Sequence, residues 1–245
     1  MDPTRKPDPD LSIIIPVLYE AKRIQTCLAN LANLAGNINL EMIVVDGDPE
    51  ESTLKHLPFQ YPHMLKGIQS PQGRGTQMNA GAKIAQGTIL LFLHADTDLP
   101  DRALQEILHA CTQNSCAGGA FDLAIASPRW SLKLIGKVAS WRSRLTRIPY
   151  GDQAIFIRKN VFEQIQGYPD IPLMEDVALM QRLKQQGYSI HILGKTVRAS
   201  ARRWEKEGIV RCTLRNWSLI LLYSLGIAPE TLARWYRPTP KRTSR

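Results

Sequence analysis

An apolar run that ends in two closely spaced carboxylates constrains the fold of this chain most strongly. Residues 88–95, TILLFLHA, are followed at once by Asp96 and, after one intervening residue, by Asp98. A short apolar run between turn signals is typical of a strand buried on both faces of a parallel sheet. Ligands of open α/β sheets bind beyond the carboxyl ends of the strands, so we expect both carboxylates to border a ligand site.

Strand and helix patterns alternate over the first 112 residues. The strand patterns lie at residues 11–17, 40–45, 64–68 and 88–93, and helical patterns lie at 21–34, after Arg74 and at 100–111. Such alternation at short spacing predicts right-handed βαβ units. The sequence therefore predicts an α/β, Rossmann-like nucleotide-binding fold with a mostly parallel central sheet flanked by helices.

The second half of the chain changes character. Strand patterns occur at residues 117–126, with glycines that suggest close backbone approach, and at 153–157, while helical patterns occur at 128–145 and 175–186. These patterns divide the main domain, 11–207, into a first half of the nucleotide-binding type (11–112) and a second half (113–207). Amphipathic helices are predicted at 208–236, with a flexible tail at 1–10 and a basic tail at 237–245.

The positive charge of the chain is concentrated near its C-terminus. Residues 196–245 hold 11 Lys and Arg against 3 Asp and Glu, whereas the remaining residues hold 20 against 19. This balance suits a polyphosphate ligand or an anionic membrane surface. Nucleic acid is excluded as a partner because no recognition motif accompanies the charge. For residues 208–236, two interpretations stay open: peripheral attachment to an anionic membrane, or packing against the core.

Composition also bears on cellular location. The segment 1–10 is polar and proline-rich, unlike a signal peptide or an anchor, and the apolar stretch 217–228 is too short for a span of about 20 residues. The four cysteines lack CxxC spacing, which favours reduced, buried thiols. We therefore expect a cytoplasmic protein, with peripheral attachment to the inner face of the membrane as the open alternative.

Four groups of residues are candidates for chemistry. Asp96 and Asp98 have the spacing to hold a divalent cation, although Asp98 could instead cap the helix that follows. Arg74, flanked by glycines and followed by Asn79, suits a phosphate, although the loop is neither a Walker nor a dinucleotide motif. Glu175 and Asp176 either complement a helix dipole or supply a general base. The cluster of Arg202, Arg203 and Trp204 either is solvated or clamps a pyrophosphate.

His94 is interpreted as a packing residue. Because it is the one histidine near the carboxylates, zinc is a poor candidate for the metal.

Taken together, these segments resemble family 2 glycosyltransferases of the GT-A fold, over most of the chain. The resemblance rests on five motifs in the family's order: SIIIPVLYEAKRI, IVVDGDPEEST, GRGTQMNAGAKIAQGTILLFLHADTD, GDQAIFIRKNVFEQIQGYPDIPLMEDVALMQRLKQQG and SARRWEKEG. It is most similar to a bacterial subgroup of small stand-alone enzymes, some of them associated with arsenosugar biosynthesis.

The resemblance implies a metal-dependent, inverting transfer of a sugar from a nucleoside diphosphate sugar to an acceptor hydroxyl. It also implies that residues 11–112 form the nucleotide-sugar half and residues 113–207 the acceptor half. Asp96 and Asp98 would hold Mg²⁺ or Mn²⁺, Asp176 would be the general base, and Glu175 would support the site. The loop compositions and the resemblance together assign these residues to the nucleotide sugar: Pro16, Tyr19, Glu20, Asp46, Asp48, Arg74, Asn79, Arg203 and Trp204. The expected donor is a UDP-sugar. The family usually has two adjacent acidic residues where this chain has Asp46 and Gly47, and this difference concerns the selection of the base.

Two rival functions follow from the same features. A sugar-phosphate nucleotidyltransferase would share the α/β half-domain and the metal, but it normally carries a glycine-rich signature directly after the first strand. A non-catalytic scaffold would bind nucleotide or membrane without turnover, and it would have no need of Asp96, Asp98 and Asp176 together. The acceptor and the transferred sugar are not specified by the sequence.

Overall fold

The computed structural model of the protein describes residues 8–61, 63–113 and 116–236. The tail predicted at 237–245 and most of the one predicted at 1–10 lie outside the described residues. The strands are β1 Leu11–Val17, β2 Leu40–Asp46, β3 Leu65–Gln69, β4 Ile89–Phe92, β5 Thr97–Asp98, β6 Gly118–Ala126, β7 Phe156–Arg158 and β8 Ile190–Ser200. The helices are α1 Ala21–Ala35, α2 Arg74–Ile84, α3 Ala103–Gln113, α4 Trp130–Thr146, α5 Lys159–Gln164, α6 Glu175–Gln185, α7 Arg202–Glu207, α8 Ile209–Ser224 and α9 Pro229–Trp235.

One sheet carries strands from both predicted halves, in the order β3-β2-β1-β4-β7-β6-β8-β5. The first four strands are parallel, as the βαβ alternation predicts. In the second half β6 and β8 are parallel, whereas β7 runs antiparallel to β4 and β6, and β5 runs antiparallel to β8. Four of the seven pairings among the described residues are therefore parallel, which confirms an α/β fold with a mixed sheet.

The two faces of β1 explain why its sequence is apolar at every position except Ser12, whose buried hydroxyl donates to Glu41. Ile13 and Ile15 belong to a core that also holds the inner faces of α1 and α3, whereas Ile14 belongs to a second core with α2 and α6. All three side chains have no solvent exposure. A strand covered by helices on both faces buries every side chain, and this removes the alternation that a half-exposed strand would show.

Close packing around the glycines of β6 confirms their predicted role. A Cβ atom added to Gly118 would lie 2.7 Å from the backbone oxygen of Phe156 in β7, so a larger residue would push the strands apart. In α2, a Cβ atom at Gly81 would lie 2.6 Å from Cγ2 of Ile14, which brings this helix close onto the sheet. These contacts fix where the N-terminus of α2 meets the sheet edge.

One predicted element needs correction, and several observed elements were not predicted. Residues 151–153 form a turn of 3-10 helix, and the strand predicted at 153–157 begins only at Phe156. The strand β8 had no predicted counterpart, because its alternating pattern is interrupted at Gly194 and Lys195, opposite the bulge between Phe121 and Asp122. The short helices α5 and α7 were also not predicted.

The C-terminal helices pack on the start of α6. Leu219 of α8 and Leu232 of α9 are buried in a small cluster with Leu173, Met174 and Val177. Packing against the core, one of the two interpretations of this segment, is thus present on one side of α8. Of the helices in the described ranges, none combines the length and apolar character needed to cross a bilayer.

Candidate active site

The order in which strands are added to the sheet reverses at β1, and this places a crevice at the carboxyl ends of the strands. From β1 the chain proceeds to β2 and β3 on one side, and then crosses to β4 on the other side. Glu20 follows β1 and Asp96 follows β4, so both emerge beside this switch point, where ligands of such sheets bind. Arg202 joins them: its Nη2 lies 2.9 Å from Oε1 of Glu20 and 3.0 Å from Oδ2 of Asp96.

The two carboxylates predicted to bind metal differ in their surroundings. Asp96 is partly buried and ion-paired to Arg202, whereas Asp98 is exposed and opposes Arg198 where β5 meets β8. Within the described residues, no group of three or more Asp, Glu, His or Cys side chains could hold a metal ion by itself. A cation at Asp96 and Asp98 would therefore need further oxygen ligands from a bound molecule.

A cleft next to Arg202 holds two of the residues predicted to contact the base and ribose, Tyr19 and Glu20. It has a volume of about 340 Å³ and is lined by Tyr19, Glu20, Ser52 and Arg202 among others. Tyr19 is 49% exposed and has a φ of 60°, a backbone conformation that costs energy for a residue with a Cβ atom. Pro16 is buried within β1, opposite Val45 of β2.

Asp46 has a clear role in holding the loop after β2. Its side chain is fully buried; Oδ1 accepts a hydrogen bond from the backbone N–H of Asp48, and Oδ2 accepts bonds from the N–H groups of Thr53 and Leu54. Thr53 Oγ1 in turn accepts a bond from the backbone N–H of Glu20. Asp46 thus positions Glu20 indirectly. Asp48, also buried, accepts the N–H of Glu50.

A buried glutamine that sequence inspection missed ties the ends of two strands to α2. Nε2 of Gln77 donates to the backbone oxygens of Val17 and Val45, both at 2.8 Å. A Cβ atom at Gly47 would lie 2.9 Å from Oε1 of Gln77. Gly47, which stands where the family usually has its second acidic residue, is therefore packed closely against this amide.

An ion pair joins the N-terminus of α2 to the second half of the main domain, residues 113–207. Nε of Arg74 lies 2.8 Å from Oε1 of Glu175, whose side chain is only 3% exposed, while the other carboxylate oxygen has no hydrogen-bond partner among the described residues. Burial raises the pKa of Glu175, and Arg74 opposes that rise. Asn79 exchanges two hydrogen bonds with the backbone of Tyr168, so its amide joins the two halves.

Asp176 is held in a fixed orientation beside His94. Its Oδ2 accepts the backbone N–H of Gly151 at 2.6 Å, and its Oδ1 accepts that of Val177 at 2.7 Å. A Cβ atom at Gly151 would lie 3.2 Å from Nε2 of His94 and 3.4 Å from Oδ2 of Asp176, so the three groups meet at one point. His94 follows β4 by two residues and is partly buried, so its ring borders the candidate site; its interpretation as a packing residue stays a prediction.

A further group of polar side chains surrounds this point. Burial, followed by repulsion from Asp176, raises the pKa of Asp152 to about 6, and burial lowers the pKa of Arg142 to about 10. The guanidinium of Arg142 stacks on the ring of Tyr150 at 3.3 Å. Asp152 Oδ1, Arg142 Nε and the Tyr150 hydroxyl are buried without hydrogen-bond partners in the described part of the chain. Such unsatisfied groups are suited to contacting a bound ligand.

The three residues of the basic and aromatic cluster at the start of α7 contact different parts of the structure. Arg202 reaches the carboxylates of the switch point, as described above. Arg203 is exposed, with its guanidinium 5.5 Å from the centre of the Tyr236 ring. Trp204 packs against Ile125 and Leu132. Of the three residues, Arg202 is therefore the one that the structure brings to Asp96, although the sequence assignment named Arg203 and Trp204.

The pH dependence of stability should report on His94. Burial, with help from Arg74, lowers the pKa of His94 from 6.5 to about 4. Because the folded state disfavours the imidazolium, the stability that the neutral ring provides is complete above pH 6.5 and is lost as the pH falls towards 4. A His94→Gln variant should therefore gain stability relative to the parent between pH 6.5 and pH 4. Thermal unfolding of both proteins over this range measures the difference, and a constant difference would contradict the prediction.

The fold and the carboxylate-lined crevice define an α/β domain with acidic side chains at its switch point. The chain matches the model described as glycosyl transferase family 2 over residues 12–165, which is more than half of its 245 residues. The chain therefore belongs to glycosyl transferase family 2.

Relatives and solved structures agree with this assignment. The chain is 26% identical over 134 residues to a dolichol-phosphate mannosyltransferase of Pyrococcus furiosus (54% of this chain, 36% of the relative). It is 35% identical over 95 residues to a PGL/p-HBAD biosynthesis glycosyltransferase of Mycobacterium bovis (37% of each chain). It thus spans little more than a third of the length of these curated relatives.

A structural neighbour supports the fold at lower identity. The mannosyltransferase PcManGT from Pyrobaculum calidifontis, solved in complex with GDP-Man and Mn²⁺, matches with a TM-score of 0.63 and 18% identity, covering 78% of this chain and 56% of that one. This likeness confirms the GT-A fold predicted from the sequence. The roles of individual site residues stay predictions.

Proposed function

We propose that this protein transfers a sugar from a nucleoside diphosphate sugar to an acceptor hydroxyl with inversion at the anomeric carbon. The observation that carries the proposal is the convergence of three elements at one end of the sheet. Asp96 follows β4, Asp176 opens α6, and Arg202 opens α7, and His94 lies close enough to both aspartates to feel their charge. Family membership supports sugar transfer as the reaction class.

The residues present fit a divalent cation of the Mg²⁺ or Mn²⁺ type. Carboxylate oxygens are the ligands that such cations prefer, and Asp96 already accepts a positive group, the guanidinium of Arg202. Asp96 and Asp98 would hold the cation together with diphosphate oxygens, and the cation would neutralise charge on the leaving diphosphate. The presence of Mn²⁺ in the PcManGT complex is consistent with this proposal.

Asp176 has the geometry of a general base. Two backbone N–H groups fix its carboxylate, yet each oxygen keeps a lone pair that can accept a bond from an acceptor hydroxyl. Asp176 would take the hydroxyl proton while the acceptor oxygen attacks the anomeric carbon from the face opposite the diphosphate. The bond from that carbon to the diphosphate would break, and Arg202 and Arg74 would offset the negative charge that develops.

The base of the donor is the part of the proposal that most needs measurement. The sequence motif predicts a UDP-sugar, whereas the PcManGT structure holds GDP-Man. The cleft at Tyr19 and Glu20 is where the base and ribose would bind. The narrower resemblance to arsenosugar-associated enzymes and the cytoplasmic location stay predictions.

Thermal shift against nucleoside diphosphates and their sugars, with and without Mn²⁺, tests this proposal. A ligand at 100 times its Kd should raise stability by about 2.7 kcal/mol, because it binds only the folded state. We expect a Mn²⁺-dependent shift with one base, lost in Asp96→Ala. The matched control is Asp101→Ala, which removes an exposed carboxylate five positions further along the chain.

Two results would contradict the proposal. Stabilisation by no nucleotide under any metal condition would favour the scaffold interpretation. Consumption of a nucleoside triphosphate with a sugar phosphate, and no transfer from a diphosphate sugar, would identify a nucleotidyltransferase instead.

A further inference from the structure

Helix α4 has a second apolar face that the fold leaves uncovered. Its inner face packs on β6, where Ser140 Oγ accepts the backbone N–H of Leu123 at 2.8 Å. The outer face carries five large apolar side chains, from 40% exposed at Val138 to 76% at Trp130. At about 100° per residue these five lie in one line opposite the inner face. We call them the α4 stripe: Trp130, Leu134, Val138, Trp141 and Leu145.

Helix α8 repeats this arrangement. Cys212 and Leu219 are its buried residues, and five large apolar side chains lie on the opposite face, between 54% exposed at Trp217 and 71% at Val210. Their spacing follows the same helical period as that of the α4 stripe. We call them the α8 stripe: Val210, Leu214, Trp217, Leu221 and Leu225.

The two helices are neighbours in the structure. Leu132 and Ile135 on the inner side of α4 share an apolar cluster with Trp204 and with Ile209, the first residue of α8. Each helix thus contributes one face to the protein interior and turns the other to solvent. Apolar faces of this size on a protein surface mark sites of interaction.

The charges carried by the two helices themselves have one sign, although Glu207, just before α8, is ion-paired to Arg215. Residues 128–147 contain six Lys and Arg and no Asp or Glu, and residues 208–229 contain two Arg and no acidic residue. Lys133 and Lys137 are exposed beside the α4 stripe, and Arg211 is exposed on α8. Apolar stripes that include tryptophan, bordered by Lys and Arg, are the pattern of helices that lie in the interface of an anionic membrane.

We propose that the α4 and α8 stripes together form a docking surface for an anionic lipid bilayer. The Trp and Leu side chains would enter the boundary between headgroups and acyl chains, and the neighbouring Lys and Arg would contact lipid phosphates. The α4 stripe extends this surface beyond the C-terminal helices that the sequence indicated. The proposal does not depend on catalysis, because binding is measured without any substrate.

Vesicle co-sedimentation tests the proposal directly. The parent protein should bind vesicles of phosphatidylglycerol and phosphatidylcholine more tightly than phosphatidylcholine alone. The triple variants Leu134→Gln/Val138→Gln/Trp141→Gln and Leu214→Gln/Trp217→Gln/Leu221→Gln should each lower the partition coefficient by about tenfold or more, since buried apolar area drives insertion. The matched control is Phe59→Gln, which removes a side chain that is 98% exposed outside both helices and should leave binding unchanged.

Two further measurements make the outcome decisive. Brominated lipids should quench the tryptophan fluorescence of the parent protein, since Trp141 and Trp217 would lie at acyl-chain depth. Unchanged thermal unfolding would show that the variants still fold. The proposal is overturned if vesicle binding is absent, or if both triple variants bind as the parent does. It is also overturned if the parent sediments as a dimer that the variants dissociate while neither protein binds vesicles, because a second copy would then cover the stripes.

Discussion

Replacing Asp176 by Asn should lower kcat by about 10²–10⁴-fold, the usual contribution of a positioned general base. The substituted amide keeps the size of the carboxylate but cannot accept the proton of the acceptor hydroxyl. It would also turn a donor towards one of the two backbone N–H groups, of Gly151 and Val177, that hold Asp176 in place. We therefore expect a modest loss of stability beside the large loss of turnover.

Separate measurements of binding and turnover distinguish these effects. The nucleotide-induced thermal shift should persist in Asp176→Asn, because the donor site at Glu20 and Asp96 is left intact. The matched control is Asp122→Asn on β6. It breaks the ion pair with Arg144 of α4 and should leave kcat near the parent value. Turnover within about threefold of the parent in Asp176→Asn, well short of a general base's usual contribution, would show that Asp176 is not the base.

The sequence was sufficient for the elements whose pattern is local. The bounds of β1 match the prediction, because helices cover both faces of the strand and Ile13, Ile14 and Ile15 form a continuous buried apolar run. The start of α6 at Glu175 matches too, since acidic residues in a first turn mark a helix N-terminus. Both signals are carried by neighbouring residues, so tertiary structure was not needed to find them.

The surroundings of individual candidate residues depend on distant parts of the chain. His94 lies in the site because Gly151, 57 positions later, brings Asp176 next to its ring. Arg202 rather than Arg203 reaches Asp96, and this follows from the direction in which α7 leaves β8. A basic cluster in a sequence does not reveal which of its side chains faces the sheet edge. The alternation of buried and exposed residues also failed to reveal β8, because Gly194 and Lys195 interrupt it in the middle of the strand.

Replacing Arg74 by Ala should destabilise the protein strongly at alkaline pH. The buried Glu175 carboxylate would then have lost its cation, and breaking a buried pair from one side costs about 3–5 kcal/mol; we expect about 3 because Arg74 is itself partly exposed. Removing Arg74 also removes the influence that opposes the raised pKa of Glu175. The folded state then favours the protonated acid, so stability falls as the pH rises through the range between the unfolded and folded pKa.

The cost of Arg74→Ala should therefore be larger at pH 8 than at pH 5, as measured by denaturant unfolding at both values. A second substitution, Glu175→Gln, removes the charge that Arg74 compensates, so the double variant should be more stable than Arg74→Ala at pH 8 and similar to it at pH 5. Lys83→Ala, which removes an exposed cation from the same helix, should cost little at either pH. Equal costs at the two pH values would mean that Arg74 stabilises the fold by packing rather than by pairing with Glu175. Since Arg74 is also the predicted partner of the diphosphate, the strength of this pair decides how readily the guanidinium can turn from Glu175 to a bound donor.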